Sequence, residues 1–104
     1  MPFFIRTLNA FEMTHREASC EIPAKRDRHR AFVHIYPPRN GITAWRIKRF
    51  EVPAHLVSAS LYDGDLLDLQ FVSVTTLAEV EDVLRHWAIS PTLFDAPWKC
   101  DSPM

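Results

Sequence analysis

The segment 66–89, LLDLQFVSVTTLAEVEDVLRHWAI, constrains the fold most, because it changes from a strand pattern to a helix pattern within a few residues. Leu67, Leu69 and Phe71 alternate with polar residues, which is the period of a half-buried strand. Val72 and Val74 add β-branched side chains that suit a pleated surface. We therefore predict a buried strand that leads directly into a helix, and we place this pair at the centre of the fold.

The predicted helix has a clear start and one apolar face. Thr76 and Glu79 fit a capping box, in which the threonine oxygen accepts from a backbone N–H three residues on and the glutamate reaches back. Apolar residues then recur at spacings of three and four, as in a helix that covers a sheet: they are Leu77, Val80, Val83, Leu84 and Trp87. The helix should end before Pro91, because proline disfavours helical geometry in the preceding residue.

Earlier segments predict the rest of a sheet. Residues 31–36, 42–52 and 55–62 carry strand signals, and Asn40-Gly41 and Asp63-Gly64 predict tight hairpins between strands. The 42–52 segment changes phase, and a bulge at Lys48–Arg49 would return its apolar residues to one face. Those residues are Trp45, Ile47, Phe50 and Val52.

The two ends of the chain are less regular. Residues 3–11 predict an edge strand or a short helix, and residues 12–30 a long loop with a short extended piece around Cys20–Pro23. In the tail, Phe94 and Trp98 are expected to fold back onto the domain, with an exposed Trp98 that anchors a partner as the alternative.

These patterns predict one domain over residues 1–104 of the α+β class: an antiparallel β-meander of four to five strands with one C-terminal helix packed on one face. The sequence has no run of about 18 apolar residues, and its N-terminus lacks the apolar core of a signal peptide. We therefore expect a cytoplasmic protein. A reducing compartment favours free thiols at Cys20 and Cys100 over a disulfide between them.

Catalytic motifs are absent from the sequence. Its two glycines, Gly41 and Gly64, cannot form a glycine-rich phosphate loop, and its five histidines form no pair with metal-ligand spacing. We therefore expect no enzyme, no cofactor and no metal. One alternative stays open, in which Cys20 or Cys100 meets a histidine in space and acts as a nucleophile.

The charges of the chain are unevenly distributed. Residues 1–49 hold ten Lys/Arg against four Asp/Glu, whereas residues 50–104 hold two against nine. The split predicts an acidic, partner-binding face. Its candidate residues are Asp63, Asp65, Asp68, Glu79, Glu81, Asp82 and Asp95. Alternatively, the fold mixes the two halves on one surface.

The basic half offers a second charge-based hypothesis, contact with phosphate. Its cluster comprises Lys25, Arg26, Arg28, Arg30, Arg39, Arg46, Lys48 and Arg49. Nucleic-acid-binding domains usually combine such a cluster with a high pI, whereas the pI here is about 6.5. We therefore expect no direct binding of nucleic acid.

The C-terminal segment 84–104, LRHWAISPTLFDAPWKCDSPM, resembles the ends of small bacterial immunity proteins that accompany polymorphic toxins, including those of contact-dependent growth inhibition systems. Such proteins often close with a helix, an F-D-x-P-W element and a final aspartate-x-proline. The matching residues here are Phe94, Asp95, Pro97, Trp98, Asp101 and Pro103.

The resemblance implies a protein that binds and neutralises one cognate toxin domain in the cytoplasm. A toxin of this kind is often a nuclease with a basic cleft, which an acidic inhibitor face would block. The alternative function is a small homo-oligomeric binding or regulatory domain, in which the acidic half of one copy meets the basic half of another.

Overall fold

Four antiparallel strands form a meander in the order β1-β2-β3-β4, and two helices cover one of its faces. The computed structural model describes residues 3–57 and 66–96. Its elements are α1 (Ile5–Met13), β1 (Ala18–Ile22), β2 (His29–Tyr36), β3 (Trp45–Pro53), β4 (Leu67–Val74) and α2 (Leu77–His86), with single 3-10 turns at Ala54–Leu56 and Pro91–Leu93. The predicted α+β class is therefore confirmed. No helix in the described part is long and apolar enough to cross a membrane.

The helix-covered face of the sheet, called face A, carries the larger core. Ile47 of β3 is fully buried there, and Val80 and Leu84 of α2 belong to the same apolar cluster. Phe11 of α1 meets Trp45 edge to face, with 5.2 Å between the ring centroids. Burial of each such side chain contributes roughly 1.5–3 kcal/mol, so both helices are held mainly by apolar packing.

The opposite face, called face B, holds a second apolar cluster. Phe32, Phe50 and Val52 are almost completely buried, and Leu66 and Val57 pack against them. The two central strands β2 and β3 therefore carry apolar side chains on both faces. In such strands apolar and polar residues do not alternate regularly, so the sequence does not show which side chains face the core.

The predicted bulge at Lys48–Arg49 is wrong. Pairing of β2 with β3 runs without interruption from His29↔Pro53 to Tyr36↔Arg46, so Ile47 faces the helices and Phe50 faces the other way. The phase change in the sequence reflects two buried faces. An irregularity does occur in the pairing of β3 with β4: Arg49 pairs with Gln70 and Glu51 with Leu67, so the extra residue lies in β4.

The N-terminal segment forms a helix, which was the alternative to an edge strand. Phe3 and Phe11 are buried and contact each other edge-on, and Phe3 also meets Phe94 at 5.8 Å between centroids. Phe94 therefore folds back onto the core as predicted. Trp98 lies outside the described residues.

The predicted loop 12–30 contains a full strand. β1 pairs with β2 from Ala18↔Ile35 to Ile22↔Ala31, near the extended piece expected at Cys20–Pro23. Ser19 and Cys20 are both buried although they point to opposite faces. Burial of consecutive residues removes the alternation of apolar and polar side chains that identifies a strand, so the sequence did not predict β1 as a full strand.

The strand predicted as the centre of the fold is an edge strand among the described residues. β4 spans Leu67–Val74 and pairs with β3, but Val72 and Val74 pack on the core of face A. Leu69 and Phe71, predicted to be buried, are 47% and 57% exposed. The predicted bounds of β4 were right. The side chains predicted to face the core were wrong, because apolar residues occur at both odd and even positions of this strand.

The hairpin predictions have different outcomes. Asn40 and Gly41 both have positive φ, 52° and 83°, and the backbones of Arg39 and Ile42 exchange two hydrogen bonds of 3.0 Å. The first hairpin is therefore confirmed. In the predicted strand 55–62, residues up to Leu56 instead belong to a 3-10 turn, and residues 58–65, with the Asp63-Gly64 hairpin, lie outside the described part.

Both ends of α2 satisfy their backbone groups. Thr76 Oγ1 accepts from the Glu79 N–H at 3.2 Å, so the threonine half of the predicted capping box is confirmed. The Glu79 carboxylate accepts from the Thr75 N–H at 3.3 Å, one residue before the expected donor. At the other end, the Ile89 N–H donates to the Leu84 carbonyl at 2.9 Å, as in a Schellman motif. Ala88 holds the left-handed position of this motif, with φ of 59°.

Replacing Ala88 with glycine should stabilise the protein. A left-handed conformation costs an L-residue about 1–2 kcal/mol, and glycine avoids this cost. The larger conformational entropy of glycine in the unfolded chain offsets part of the gain. We expect Ala88→Gly to raise the free energy of unfolding by about 0.5–1 kcal/mol in urea denaturation. Ala78→Gly, on the exposed face of the same helix, is the control and should lower it by about 1 kcal/mol. A loss of stability in both variants would contradict the assignment.

Candidate functional site

The five described residues of the predicted acidic face occupy different parts of the molecule. Asp68 lies on β4, and Glu79, Glu81 and Asp82 lie on α2. Asp95 lies beside β1, where its backbone exchanges hydrogen bonds of 2.9 and 3.1 Å with Ser19. β1 and β4 are three strand spacings apart, about 14 Å, so Asp95 is not brought together with Asp68. Asp63 and Asp65 lie outside the described residues.

Arginines partner three of these carboxylates. Asp68 contacts Arg26 at 2.9 Å, Asp82 contacts Arg85 at 2.7 Å, and Asp95 contacts Arg6 at 2.8 Å. The hydrogen bond from Arg26 and its charge lower the pKa of Asp68. Exposed pairs of this kind contribute little to stability, and they cancel most of the local negative charge.

Glu79 and Glu81 differ from those three. Hydrogen bonds from the Thr75 and Thr76 hydroxyls lower the pKa of Glu79, whose carboxylate serves the start of α2. Glu81 has no ion-pair partner among residues 3–57 and 66–96. The negative surface of α2 is therefore smaller than the sequence suggested, and Glu81 is its uncompensated member.

Arg26 also ties the loop before β2 to the end of the sheet. The buried Glu51 carboxylate accepts from the backbone N–H groups of Lys25 at 2.9 Å and Arg26 at 3.3 Å. Burial opposes ionisation of Glu51, but these N–H groups and the Arg26 guanidinium lower its pKa. The charged residues at this corner are thus structural, and part of the predicted basic cluster is used within the fold.

The clearest unpartnered apolar feature is the outer edge of β4, called the β4 edge and defined by Leu69, Phe71 and the strand's outer backbone groups. No strand among the described residues pairs with this side of β4. Both side chains project from face B and are about half exposed. An edge strand with exposed apolar side chains is a template for an added strand from another chain.

A large cavity lies at the opposite end of the β2–β3 hairpin from Glu51, against α1. It measures about 930 Å³ and includes Tyr36, Arg39 and Arg46 among its lining residues. Burial raises the pKa of Glu17 in its wall, an effect that the charge of Arg39 opposes. The sequence placed Arg39 and Arg46 in a basic cluster but did not indicate that they would line one cavity together with residues of α1.

His34 is a fully buried titratable residue on face B. Its ring is stacked between Tyr36 and Phe50, with centroid distances of 5.9 and 5.8 Å. Burial and the nearby Lys48 lower the pKa of His34 to about 4. The imidazole is therefore neutral at physiological pH, and its role in the fold is to pack as a buried aromatic ring between Tyr36 and Phe50.

The low pKa of His34 predicts a pH dependence of stability. Between pH 6.5 and about 4 the unfolded chain binds a proton at this residue and the folded chain does not, so acidification destabilises the fold. We expect this proton to contribute up to about 1.4 kcal/mol per pH unit to the free energy of unfolding. His34→Phe keeps an aromatic ring and should remove that slope. His86→Phe, at an exposed position, should retain it, and equal slopes in the wild type and His34→Phe would contradict this role.

The predictions about metal and thiol chemistry concern the histidines and the two cysteines. Residues 3–57 and 66–96 contain no group of three side chains that could hold a metal ion. Cys20 is buried on face A, and Cys100 lies outside the described residues.

Comparisons with protein-family models, with curated proteins and with solved structures found no match. Of the residues that carry the resemblance to immunity proteins, Phe94 is a core residue and Asp95 fastens the tail to β1 and Arg6. Pro97, Trp98, Asp101 and Pro103 lie outside the described residues.

Proposed function

We propose that this chain is an immunity protein, which binds a cognate toxin domain in the cytoplasm and neutralises it. The C-terminal resemblance suggests the class. The observation that carries the proposal is the β4 edge, where half-exposed Leu69 and Phe71 accompany a strand with no described neighbour on its outer side. A few well-packed side chains, often aromatic, supply most of the binding energy in a protein interface.

In this proposal the toxin domain adds an extended segment to β4. Backbone hydrogen bonds would supply affinity, and pockets for Leu69 and Phe71 would supply specificity. Glu81 lies on α2, which covers face A, whereas Leu69 and Phe71 project from face B, so its charge would act only from the periphery of such an interface. A rim charge affects chiefly the rate of association, which suits a basic nuclease as the partner. The acidic residues are thus accessory to the apolar edge.

The experiment expresses the C-terminal domain encoded immediately upstream, with and without this protein. We expect the domain to arrest growth and this protein to restore it. The double variant Leu69→Ser/Phe71→Ser should fail to protect and should weaken binding at least about 100-fold, because both residues are anchors. Both positions are half exposed, so the fold should survive, which circular dichroism checks.

The matched control is Ile5→Ser, which removes an exposed apolar side chain from α1. It should protect as the wild type does. Full protection by the folded double variant would rule out the β4 edge as the binding surface. A harmless upstream domain, or arrest despite this protein, would rule out immunity to that neighbour.

A second copy of this chain is the alternative partner, since two β4 edges can pair with each other. The exposed edge favours such self-pairing, which differs from the contact between acidic and basic halves that the sequence predicted for a homo-oligomer. Sedimentation velocity at low and high salt distinguishes the two: a dimer that Leu69→Ser/Phe71→Ser abolishes would favour self-pairing, and a monomer under both conditions would favour a separate partner.

A further inference from the structure

The cavity against α1 has the size and lining of a small-molecule site. It measures about 930 Å³ and is mostly apolar, with Ala10 and Met13 on the helix side and Ala18 and Pro37 on the sheet side. Ligand-binding cavities commonly measure about 300–1,000 Å³ and combine apolar walls with a few polar groups. None of its lining residues lies on β4, so it is distinct from the β4 edge.

The polar part of the wall is dominated by arginines that form no ion pair with a described carboxylate. Arg16, Arg39 and Arg46 form no ion pair with a carboxylate of residues 3–57 or 66–96. Most other arginines do have one: Arg6, Arg26, Arg30 and Arg85 are each within 3.4 Å of a carboxylate oxygen. The cavity wall thus brings together arginine side chains whose charge no described carboxylate neutralises through an ion pair.

Glu17 and Asp95 also line the cavity, and neither removes the imbalance. Asp95 is already paired with Arg6, which stands in the same wall. Glu17 acts on Arg39 through its charge, but the two form no ion pair. With Arg6 included, four guanidinium groups face two carboxylates, so the cavity carries a net positive charge whenever both carboxylates are ionised.

Arg46 supplies the most specific indication. Its Nε is buried and donates no hydrogen bond to any described residue. A buried donor without an acceptor costs about 1–3 kcal/mol, and an arriving anion would remove that cost. The guanidinium lies over the Tyr36 ring at 5.4 Å, which holds it in place before any ligand arrives.

We propose that this cavity binds a small organic anion, with its carboxylate or phosphate head held by Arg39 and Arg46 and its apolar body against α1. Guanidinium groups bind both heads through paired, charge-assisted hydrogen bonds. The concave, largely apolar walls favour a small molecule over a protein surface. This proposal does not depend on the identity of the protein partner and is tested without one.

The test is an NMR titration of the full chain with four probes, followed at the arginine Nε–H resonances. The probes are phenyl phosphate, benzoate, inorganic phosphate and benzyl alcohol. We expect saturable shifts of the Arg46 resonance with phenyl phosphate or benzoate, and the tighter of the two identifies the preferred head. Inorganic phosphate should bind at least about tenfold more weakly and benzyl alcohol not at all, because each lacks half of the ligand.

Variants then locate the binding. Arg39→Gln and Arg46→Gln should each weaken the better probe at least about tenfold, whereas Arg85→Gln, at an exposed position on α2, should leave it unchanged. Arg39 is exposed, so its variant keeps the test valid if Arg46→Gln fails to fold. No saturable shift, equal binding of benzyl alcohol or inorganic phosphate, or unchanged affinity in Arg39→Gln would each overturn the proposal.

Discussion

The uninterrupted pairing of β2 with β3 is the interaction on which the other elements depend. It joins eight residue pairs and sends apolar side chains to both faces of the sheet. On face A, Ile35 and Ile47 receive the two helices, and on face B, Phe32 and Phe50 form the second cluster. A shift of register by one residue would exchange these two sets, so the same pairing fixes where the helices, β1 and β4 can attach.

The sequence predicted the structure correctly where a single local interaction determines it. Thr76 and Glu79 predicted the start of α2, and Asn40-Gly41 predicted the first hairpin, because each feature depends on backbone hydrogen bonds or φ angles within four residues. The apolar stripe of α2 was also correct. Predictions that needed the face of a strand were weaker: Phe50 and Phe71 were assigned to the wrong side, because a sheet with apolar residues on both faces gives no unique phase.

The candidate sites were less predictable than the fold. Charge counting selected Asp68, Asp82 and Asp95, all of which pair with arginines in the fold. Arg85 is only three residues from Asp82, whereas the partners of Asp68 and Asp95 are distant in sequence. What distinguishes Leu69 and Phe71 is exposure, and what distinguishes Arg46 is its place in the wall of a cavity that residues of α1 also line. Both properties depend on tertiary packing, which no spacing of residues within one segment encodes. The acidic face thus remains a prediction, whereas the β4 edge and the arginine-lined cavity emerged only from the folded chain.

The β4 edge and the cavity give this small domain two surfaces of opposite character. One is an open strand with apolar side chains, suited to another chain, and the other is concave and cationic. A partner protein that docks on the β4 edge, as we propose, would protect the amides of this strand, and amide hydrogen exchange tests this most directly. With the upstream-encoded domain bound, slowed exchange should concentrate in Leu67–Val74. Unchanged exchange in β4 in a complex that demonstrably forms would contradict the account.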